Sequence, residues 1–320
     1  MKSIYHSFLL VLILCFASAN VWAQDPFFAQ IHANRLALSP ALAGSQGAPV
    51  LAMQYRVQWV RISGHPRQAT LAYDSPLKFG KGLNAGFSTQ LDYFGTGYTL
   101  SAFHLHFAKE WQIAPKHYLR AGLAGGMGLG SINYAKLRFP DQLDSTGAWT
   151  PAPTVGFEYI PRVDASLGLS YHNRFFYFIG TIRHLQDNWL VESGEGYYPR
   201  LYSATSGVRI PLSEAAINGL GKVYLTPMAH YQVQGPFDIF MFGAALQTKY
   251  FQLSTWVQAG ERISGGVGTS FGPVQMSYSY DHYLSDLNSG IAGPAHELSF
   301  AIRFGGKKEE NPDAMPLPRY

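Results

Sequence analysis

The sequence predicts an all-β protein: a transmembrane antiparallel β-barrel of the outer-membrane type, with about 14 strands. Three observations lead to this prediction. Charged residues make up only 14% of the chain, against about 25% in ordinary soluble proteins. Aromatic residues reach 15%. Apolar and polar residues alternate with a period of two along most of the chain, which gives each strand one side for lipid and one for the lumen.

Residues 1–23 are predicted to be a cleaved signal peptide. An apolar run at 8–16 is followed by Ala23, a small residue that suits signal-peptidase cleavage. A transmembrane anchor is less favoured, because the run is shorter than the roughly 20 residues a membrane helix needs. Cys15 is the only cysteine and would leave with the signal, so the mature chain would have no disulfide and no thiol chemistry.

Residues 24–48 form a periplasmic or plug-like N-terminal segment in this prediction. The stretch DPFFAQIHANRLALSPALAGS is rich in apolar residues but has neither a strand nor a helix period. Because it precedes the first strand, we expect it to start on the periplasmic side. Its apolar side chains need burial, so it would either fold into the lumen or dock across the periplasmic rim.

Residues 49–304 are predicted to be the barrel. In ELSFAIRF, apolar residues oppose Glu297, Ser299 and Arg303, and a one-residue slip would move these polar groups into lipid. The long connections 131–161, 186–198 and 285–294 follow odd-numbered strands. PAPTVGFEYI at 151–160 could be a further strand, but we assign it to the first of these connections on topological grounds, because 14 strands then leave the short turns on the periplasmic side. This asymmetry suits an even-stranded barrel with both termini in the periplasm.

A soluble β-sandwich also has alternating strands. It is the less favoured fold, because these strands are long, carry aromatic residues at their ends and have little charge.

Charges of both signs are predicted to face the lumen, where they could pair and favour a filled barrel over a wide pore. These residues are Arg120, Asp164, Arg183, Glu297 and Arg303. The final segment, 305–320, is charged, Pro-rich and aperiodic, and is predicted to be a flexible periplasmic tail.

No catalytic constellation is evident, and we expect no enzyme, cofactor or metal. GTSFG at 268–272 resembles a nucleophile elbow but runs from strand to strand, without the helix that this motif needs. His104 and His106 share one strand face and could bind a metal, although a lumenal polar pair is favoured. Asp141 and Asp144 fit turn capping better than calcium binding. The net charge of +4 is mild for this length, and the sequence has no basic stripe of the kind that binds nucleic acid.

Several stretches together resemble the PorP/SprF family, outer-membrane proteins of the type IX secretion system and gliding machinery of Bacteroidetes. They are the DPFFAQIHANRLALSPALAGS segment, YRVQW at 55–59, GHPRQATLAYDSPL at 64–77, LRFPDQ at 137–142 and IGTIRHL at 179–185. Ser39 stands where the family usually has Asn. The resemblance marks these residues as a family signature and possible partner-docking positions: Asp25, Pro26, Gln30, Asn34, Pro40, Ala41, Gly44, Tyr55, Arg56, Gln58, Trp59, Asp141, Gln142 and His184.

The resemblance implies a barrel that supports export or surface attachment of a partner protein. That partner would be an exported surface protein, bound through its C-terminal domain, and periplasmic secretion components would also associate. Trp149, Trp189, Tyr197 and Tyr198 are candidate loop contacts to such cargo, or anchors in lipid headgroups. The alternative functions are a passive or substrate-specific channel and, least favoured, an outer-membrane enzyme.

Overall fold

Fourteen antiparallel strands close into one barrel. The computed structural model describes residues 25, 27–137, 157–186, 188–189, 197–213, 221–285, 287–305, 315 and 317. Each strand pairs with its neighbours in sequence, and β1 pairs with β14 to close the barrel. The strands are β1 Val50–Gln58, β2 Arg67–Pro76, β3 Leu83–Phe94, β4 Tyr98–Ala114, β5 His117–Asn133, β6 Phe157–His172, β7 Phe176–Arg183, β8 Leu201–Val208, β9 Tyr224–Gln234, β10 Phe237–Gln247, β11 Phe251–Gln258, β12 Arg262–Phe271, β13 Val274–Tyr283 and β14 Ala295–Arg303.

Short elements complete the described part of the chain. The helix α1, Arg35–Leu38, and a 3-10 helix, Pro40–Leu42, precede β1. A 3-10 helix (Tyr134–Lys136), a π-helix (Leu287–Ala292), a pair of two-residue strands (Asn188–Trp189 and Tyr197–Tyr198) and a short strand beside β9 (Ile210–Pro211) lie in connections. Among the described residues, no helix combines the length and apolarity needed to cross a membrane.

The predicted alternation sets which side chains face the lumen. In β6, Leu167 and Leu169 lie on the outer surface and are 49% and 58% exposed, whereas Ser166 and Ser170, on either side of this pair, are buried. In β14, Leu298 is exposed and Glu297 is buried. The outer surface is therefore apolar and suited to lipid, while the lumen is lined by polar groups.

The two ends of the barrel differ. We call the end with the connections after odd-numbered strands the long-loop end, because it holds connections such as 59–66, 134–156, 184–200 and 284–294. The opposite, short-turn end holds connections such as 115–116, 173–175 and 272–273; the connection between β8 and β9 is its long exception. The predicted asymmetry is thus present.

One predicted boundary is wrong. We expected residues 151–160 in a loop, but residues 157–160 belong to β6, where they continue the hairpin with β5 through pairs such as Ile160 with Gly130. Pro161 fits here because, in the described residues, β7 pairs with β6 only from Leu167 onwards. A proline has no N–H to donate, so an unpaired strand edge accommodates it.

Candidate functional site: the lumenal plug

Asp25 and residues 27–49 thread through the lumen, and we call this segment the plug. Asp25 contacts Gln234, the last residue of β9, at the long-loop end. Arg303, the last residue of β14, donates to the Gln46 carbonyl oxygen at 3.1 Å, near the short-turn end. The plug therefore crosses the lumen and begins at the long-loop end. We expected it to start on the periplasmic side, ahead of the first strand.

Asn34 and Ser39 cap two short helical turns of the plug. Asn34 caps α1, accepting from the Ala37 amide at 3.2 Å through Oδ1, and its Nδ2 donates to Thr70 of β2 at 2.9 Å. Ser39 caps the 3-10 helix Pro40–Leu42, and its hydroxyl accepts from the Ala41 amide at 3.3 Å.

The plug rests on glycines of the barrel wall. A β-carbon added to Gly122 of β5 would overlap the backbone of Pro40 and Ala41, and one added to Gly168 of β6 would overlap the Ser39 hydroxyl. These two wall positions therefore need glycine so that the plug backbone can approach.

Arg120 fixes the turn that lies on these glycines. Its Nε donates to the Ala41 carbonyl oxygen at 2.8 Å, and its other nitrogens bond the Ala43 carbonyl oxygen and the Glu110 carboxylate. Gly44, with a φ of 67°, donates its amide to Asp74 of β2 at 2.6 Å. A guanidinium holds two plug carbonyls and a carboxylate holds a plug amide, which clamps this end of the plug.

A second clamp joins Ala29 and Gln30 of the plug to β14. The Glu297 carboxylate accepts from two consecutive plug amides, Ala29 at 2.8 Å and Gln30 at 3.0 Å. Gln54 of β1 donates to the Gln30 carbonyl oxygen at 2.9 Å and also to Glu297 at 3.0 Å. A carboxylate that accepts backbone N–H bonds makes strong, charge-assisted contacts.

Buried charges of the wall support that clamp. Arg56 lies between Asp281 at 2.6 Å and Glu297 at 3.2 Å, with all three side chains about 1% exposed or less. Arg262 contacts Asp281 at 3.2 Å and lies over the ring of Phe27 in the plug, 4.6 Å from its centroid. The buried charges are therefore paired, as burial requires.

The N-terminal end of the plug is anchored by imidazole and carboxylate groups. His184 follows β7, and its Nε2 is 3.0 Å from Asp25 Oδ2 while its Nδ1 is 3.2 Å from Asp164 Oδ2. The Tyr198 hydroxyl donates to Asp25, and Arg183 lies 3.6 Å from it. Two carboxylate acceptors require both ring nitrogens to carry protons, so His184 is an imidazolium in this arrangement.

Electrostatics agree with this protonation state. Burial alone would lower the pKa of His184, but Asp25 and Asp164 outweigh it and raise the pKa to about 9. Burial alone would raise the pKa of Asp25, but His184, Arg183 and the Tyr198 hydroxyl hold it well below its usual range. The anchor is thus a charged network at neutral pH.

An apolar cluster joins the plug to the wall and to the end of the chain. It contains plug residues, wall residues of β7 and β9–β11, and two residues of the tail. Its members are Ile31, Leu38, Leu42, Tyr177, Ile179, Met228, Met241, Ala245, Trp256, Met315 and Leu317. Of the tail that we predicted to be flexible and periplasmic, Met315 and Leu317 are buried here, in a dry environment that suits their apolar side chains. The rest of the tail after residue 305 lies outside the described residues.

The structure brings most of the sequence-predicted residues to the plug or its wall. Asp25, Gln30, Asn34, Pro40, Ala41, Gly44, Arg56 and His184 of the family signature do so, as do all the predicted lumenal charges, Arg120, Asp164, Arg183, Glu297 and Arg303. His104 and His106 are also lumenal: His104 contacts Asp164 at 3.0 Å and His106 contacts Ser88 at 2.8 Å. The described residues contain no group of side chains suited to a metal ion.

Other predicted residues lie elsewhere. Tyr55 is on the outer surface and 44% exposed, because it occupies the face of β1 opposite Gln54 and Arg56. Gln58 and Trp59 lie at the long-loop end, where Trp59 donates its amide to the Pro294 carbonyl oxygen at 3.0 Å. Pro26, Asp141, Gln142 and Trp149, together with the predicted signal peptide, lie outside the described residues.

The loop aromatics are only partly described. Tyr198 is not an exposed contact: it is buried against His184 and under the guanidinium of Arg162, 4.5 Å from the ring centroid. For Trp189 and Tyr197 the structure describes only the backbone of the short strand pair.

Several residues of the site were missed from the sequence. They are Gln54, Asp74, Gly122, Gly168, Gln234, Arg262 and Asp281. Asp281 and Arg262 carried a usable signal, since both lie on the polar side of an alternating strand.

Sequence comparison assigns the chain to a family. A family profile described as "Type IX secretion system membrane protein PorP/SprF" matches residues 20–302. The chain belongs to the PorP/SprF family. It is therefore an integral outer-membrane β-barrel and a membrane protein of the type IX secretion system. No curated protein matches this PorP/SprF chain.

Several solved structures are similar to this PorP/SprF protein at low sequence identity. The Acinetobacter baumannii outer-membrane protein Omp33 is 8% identical, with 80% of this chain and 98% of that chain covered and a TM-score of 0.47. The CymD monoaromatic hydrocarbon channel is 13% identical, with coverage of 89% and 95% and a TM-score of 0.47. A FadL homologue from Pseudomonas aeruginosa is 9% identical, with coverage of 91% and 97% and a TM-score of 0.45.

Proposed function

We propose that this protein supports the export or surface attachment of a partner protein, acting as a plugged scaffold and not as a pore. The observation that carries the proposal is the plug, which is held across the lumen by buried charges at three places: Asp25, Glu297 and Arg120. A passive channel needs a continuous lumenal path, and a plug bound through charge-assisted hydrogen bonds weighs against one.

The proposed orientation puts the long-loop end at the cell surface and the short-turn end in the periplasm. Long outer loops and short periplasmic turns are the usual asymmetry of outer-membrane barrels. In this orientation Asp25 would face the surface, whereas Phe304, which directly follows β14, would face the periplasm.

We propose an exported surface protein, bound through its C-terminal domain, and periplasmic secretion components as the partners. Family membership supports secretion-system partners, and a role in gliding motility of a Bacteroidetes species would follow from the same machinery. The connection between β5 and β6 at the long-loop end is the proposed cargo contact. The protein would act as a binding component without an enzymatic activity of its own.

Purification from the native outer membrane tests this function. A tagged copy would be extracted in mild detergent and its companions identified by mass spectrometry. Stoichiometric recovery of an exported protein or of periplasmic secretion components is expected. Recovery of the barrel alone, combined with steady conductance in a planar bilayer, would overturn the proposal in favour of a channel.

A pair of deletions tests where the cargo binds. Removing residues 141–154, between β5 and β6, should abolish surface display of the partner while the barrel still folds. Removing residues 214–219, between β8 and β9 at the short-turn end, is the matched control and should leave cargo capture intact. Normal display after the first deletion would contradict cargo contact at that loop.

A further inference from the structure

A cleft with a basic lining lies at the long-loop end of the barrel. It has a volume of about 640 Å³ and is formed where the connections after β1, β3 and β5 meet. The side chains of His65, Arg67 and Lys136 line it, and its described lining contains no Asp or Glu. Arg67 and Lys136 are both exposed. The cleft is therefore a positively charged concave surface that favours an anionic ligand.

The three connections that form this basic cleft are held against one another. Thr96 Oγ1 contacts the Lys136 carbonyl oxygen at 3.5 Å, and the Asn133 amide donates to the Gly97 carbonyl oxygen at 2.7 Å. A β-carbon added to Gly64 would lie 3.0 Å from the Thr96 side chain, so the first connection packs closely against the second. These contacts give the cleft a defined shape before any ligand binds.

The basic cleft reaches the outward face of the barrel wall. Arg67 begins β2 and alternates with the buried Gln68, so it shares the outward face of that strand with Ala69. Its partner across the sheet is Tyr93 of β3, which is 44% exposed and also lines the cleft. Basic and aromatic side chains at the ends of membrane-spanning strands lie at the depth of the lipid headgroups. The cleft is thus within reach of a headgroup.

An apolar hollow continues from the basic cleft along the same outward face. It has a volume of about 870 Å³ and is lined by residues of β1–β3 and β11–β14. Ala69 and Leu91 line it, and they pair with each other one step along the sheet from the pair Arg67 and Tyr93. Two residues along a strand span roughly 7 Å. Positive groups at headgroup depth are therefore followed directly by a concave apolar surface at acyl-chain depth.

We propose that the basic cleft and the apolar hollow form one binding site for lipid A, a phosphorylated glycolipid of the outer leaflet. Its phosphate groups would contact Arg67 and Lys136, since guanidinium and ammonium groups bind phosphate through charge-assisted hydrogen bonds. Its several acyl chains suit a hollow that extends over β1–β3 and β11–β14. The choice of the outer leaflet rests on the orientation proposed above; the pairing of a phosphate site with an acyl-chain site does not.

Native mass spectrometry of the delipidated full-length barrel in a neutral detergent tests the ligand. Titration with bisphosphorylated lipid A should give a saturable adduct. Dephosphorylated lipid A and deacylated lipid A should each bind at least about tenfold more weakly, because each lacks one half of the recognised structure. Equal binding of the dephosphorylated form would overturn the phosphate site, and equal binding of the deacylated form would indicate a site for a free phosphorylated sugar. Equal binding of phosphatidylglycerol would overturn the choice of lipid A.

Two double variants test the place of binding. Arg67→Gln with Lys136→Gln should weaken lipid A binding at least about tenfold. Lys78→Gln with Lys81→Gln is the matched control, since it removes the same charge from exposed positions between β2 and β3 at the short-turn end. Heat-modifiable gel mobility checks that both fold. Unchanged binding in the first variant, or an equal loss in the control, would overturn the proposal. The measurement uses the purified barrel, so a failure of cargo display would not decide it.

Discussion

Asp25 and His184 are 159 residues apart in sequence, yet Asp25 Oδ2 lies 3.0 Å from His184 Nε2. The contact ties the start of the mature chain to the end of β7. Because His184 also contacts Asp164 at 3.2 Å, it bridges the plug and the barrel wall. The same two residues stand in two separate stretches of the family signature, DPFFAQ and IGTIRHL. Their meeting explains why a plug residue and a strand-end residue belong to one pattern.

Replacing His184 should free the N-terminal end of the plug. His184→Gln removes the imidazolium charge and keeps only part of the hydrogen bonding to the Asp25 and Asp164 carboxylates. A hydrogen bond to a charged group contributes roughly 1.5–3 kcal/mol to stability. We expect Ala29→Cys, buried in the parent protein, to react with a maleimide about tenfold faster in this background. His65→Gln, an equivalent change at a loop histidine, should leave the rate unchanged. Equal rates in the two backgrounds would show that the contact does not hold the plug.

The anchor should also depend on pH. His184 has its pKa raised to about 9, above the 6.5 of a free histidine, so its contribution is complete below pH 6.5 and is lost as the pH rises through about 9. The groups facing it are Asp25, Asp164, Arg183 and Tyr198; Asp25 has a lowered pKa, so its own contribution is lost only in acid, below about pH 4.

This pH dependence is measured as the difference in unfolding midpoint between the parent protein and His184→Gln from pH 5 to 10. The difference should be largest near pH 5–6 and should vanish above about pH 9, where His184 becomes neutral. A difference that stays constant to pH 10 would contradict the charged network. Using the difference removes the titration of groups common to both proteins.

The barrel was predictable because its signal repeats in every strand. Alternation identified all fourteen strands, and the polar side of each strand identified lumenal residues such as Glu297 and Arg120. The start of β6 was missed because the expected asymmetry of loop lengths put residues 151–160 in a long connection, whereas pairing with β5 extends β6 back to Phe157. Strand signals are local, and a hairpin that extends beyond its neighbour is decided by pairing across the sheet.

The plug was predictable only in outline. Its apolar, aperiodic composition predicted burial, but its direction through the lumen depends on contacts such as Asp25 with His184, which no local pattern encodes. The close packing of the plug on the wall depends on Gly122 and Gly168. The role of these glycines is recognised only once the plug is seen to lie against them. The burial of Met315 and Leu317 was missed for a similar reason: charge and proline content predict mobility, and nothing local shows that the lumen accepts these two side chains.

A larger side chain at a wall glycine that contacts the plug should dislodge the plug. Gly122→Val puts a side chain where the backbone of Pro40 and Ala41 lies, and overpacking of this kind destabilises by about 1–3 kcal/mol. We expect a folded barrel with raised conductance in a planar bilayer and a protease-sensitive N-terminal segment. Gly125→Val on the same strand is the matched control, since nothing lies within 4 Å of its added β-carbon. Identical conductance of the two variants would show that the plug tolerates the change.

Removing Arg56 should weaken the whole barrel as well as the plug. Arg56 is the cation between Asp281 and Glu297, and Arg262 contacts only the first of these within salt-bridge distance in the described residues. Arg56→Met therefore leaves Glu297 as a buried carboxylate without its cation, which destabilises by about 3–5 kcal/mol. The unfolding midpoint measured by heat-modifiable mobility should fall, whereas Arg67→Met, an exposed position one strand away, should leave it unchanged.

A second change at Glu297 tests the cause. Combining Arg56→Met with Glu297→Gln removes the unpaired charge and keeps an oxygen that can accept from the Ala29 or Gln30 amide. The double variant should recover part of the lost midpoint, because the penalty for a buried unpaired charge exceeds that for a neutral amide. If the midpoint losses of the two single variants, Arg56→Met and Glu297→Gln, simply add in the double variant, the effect of Arg56 comes from its packing. The charge clamp is then not what holds the plug.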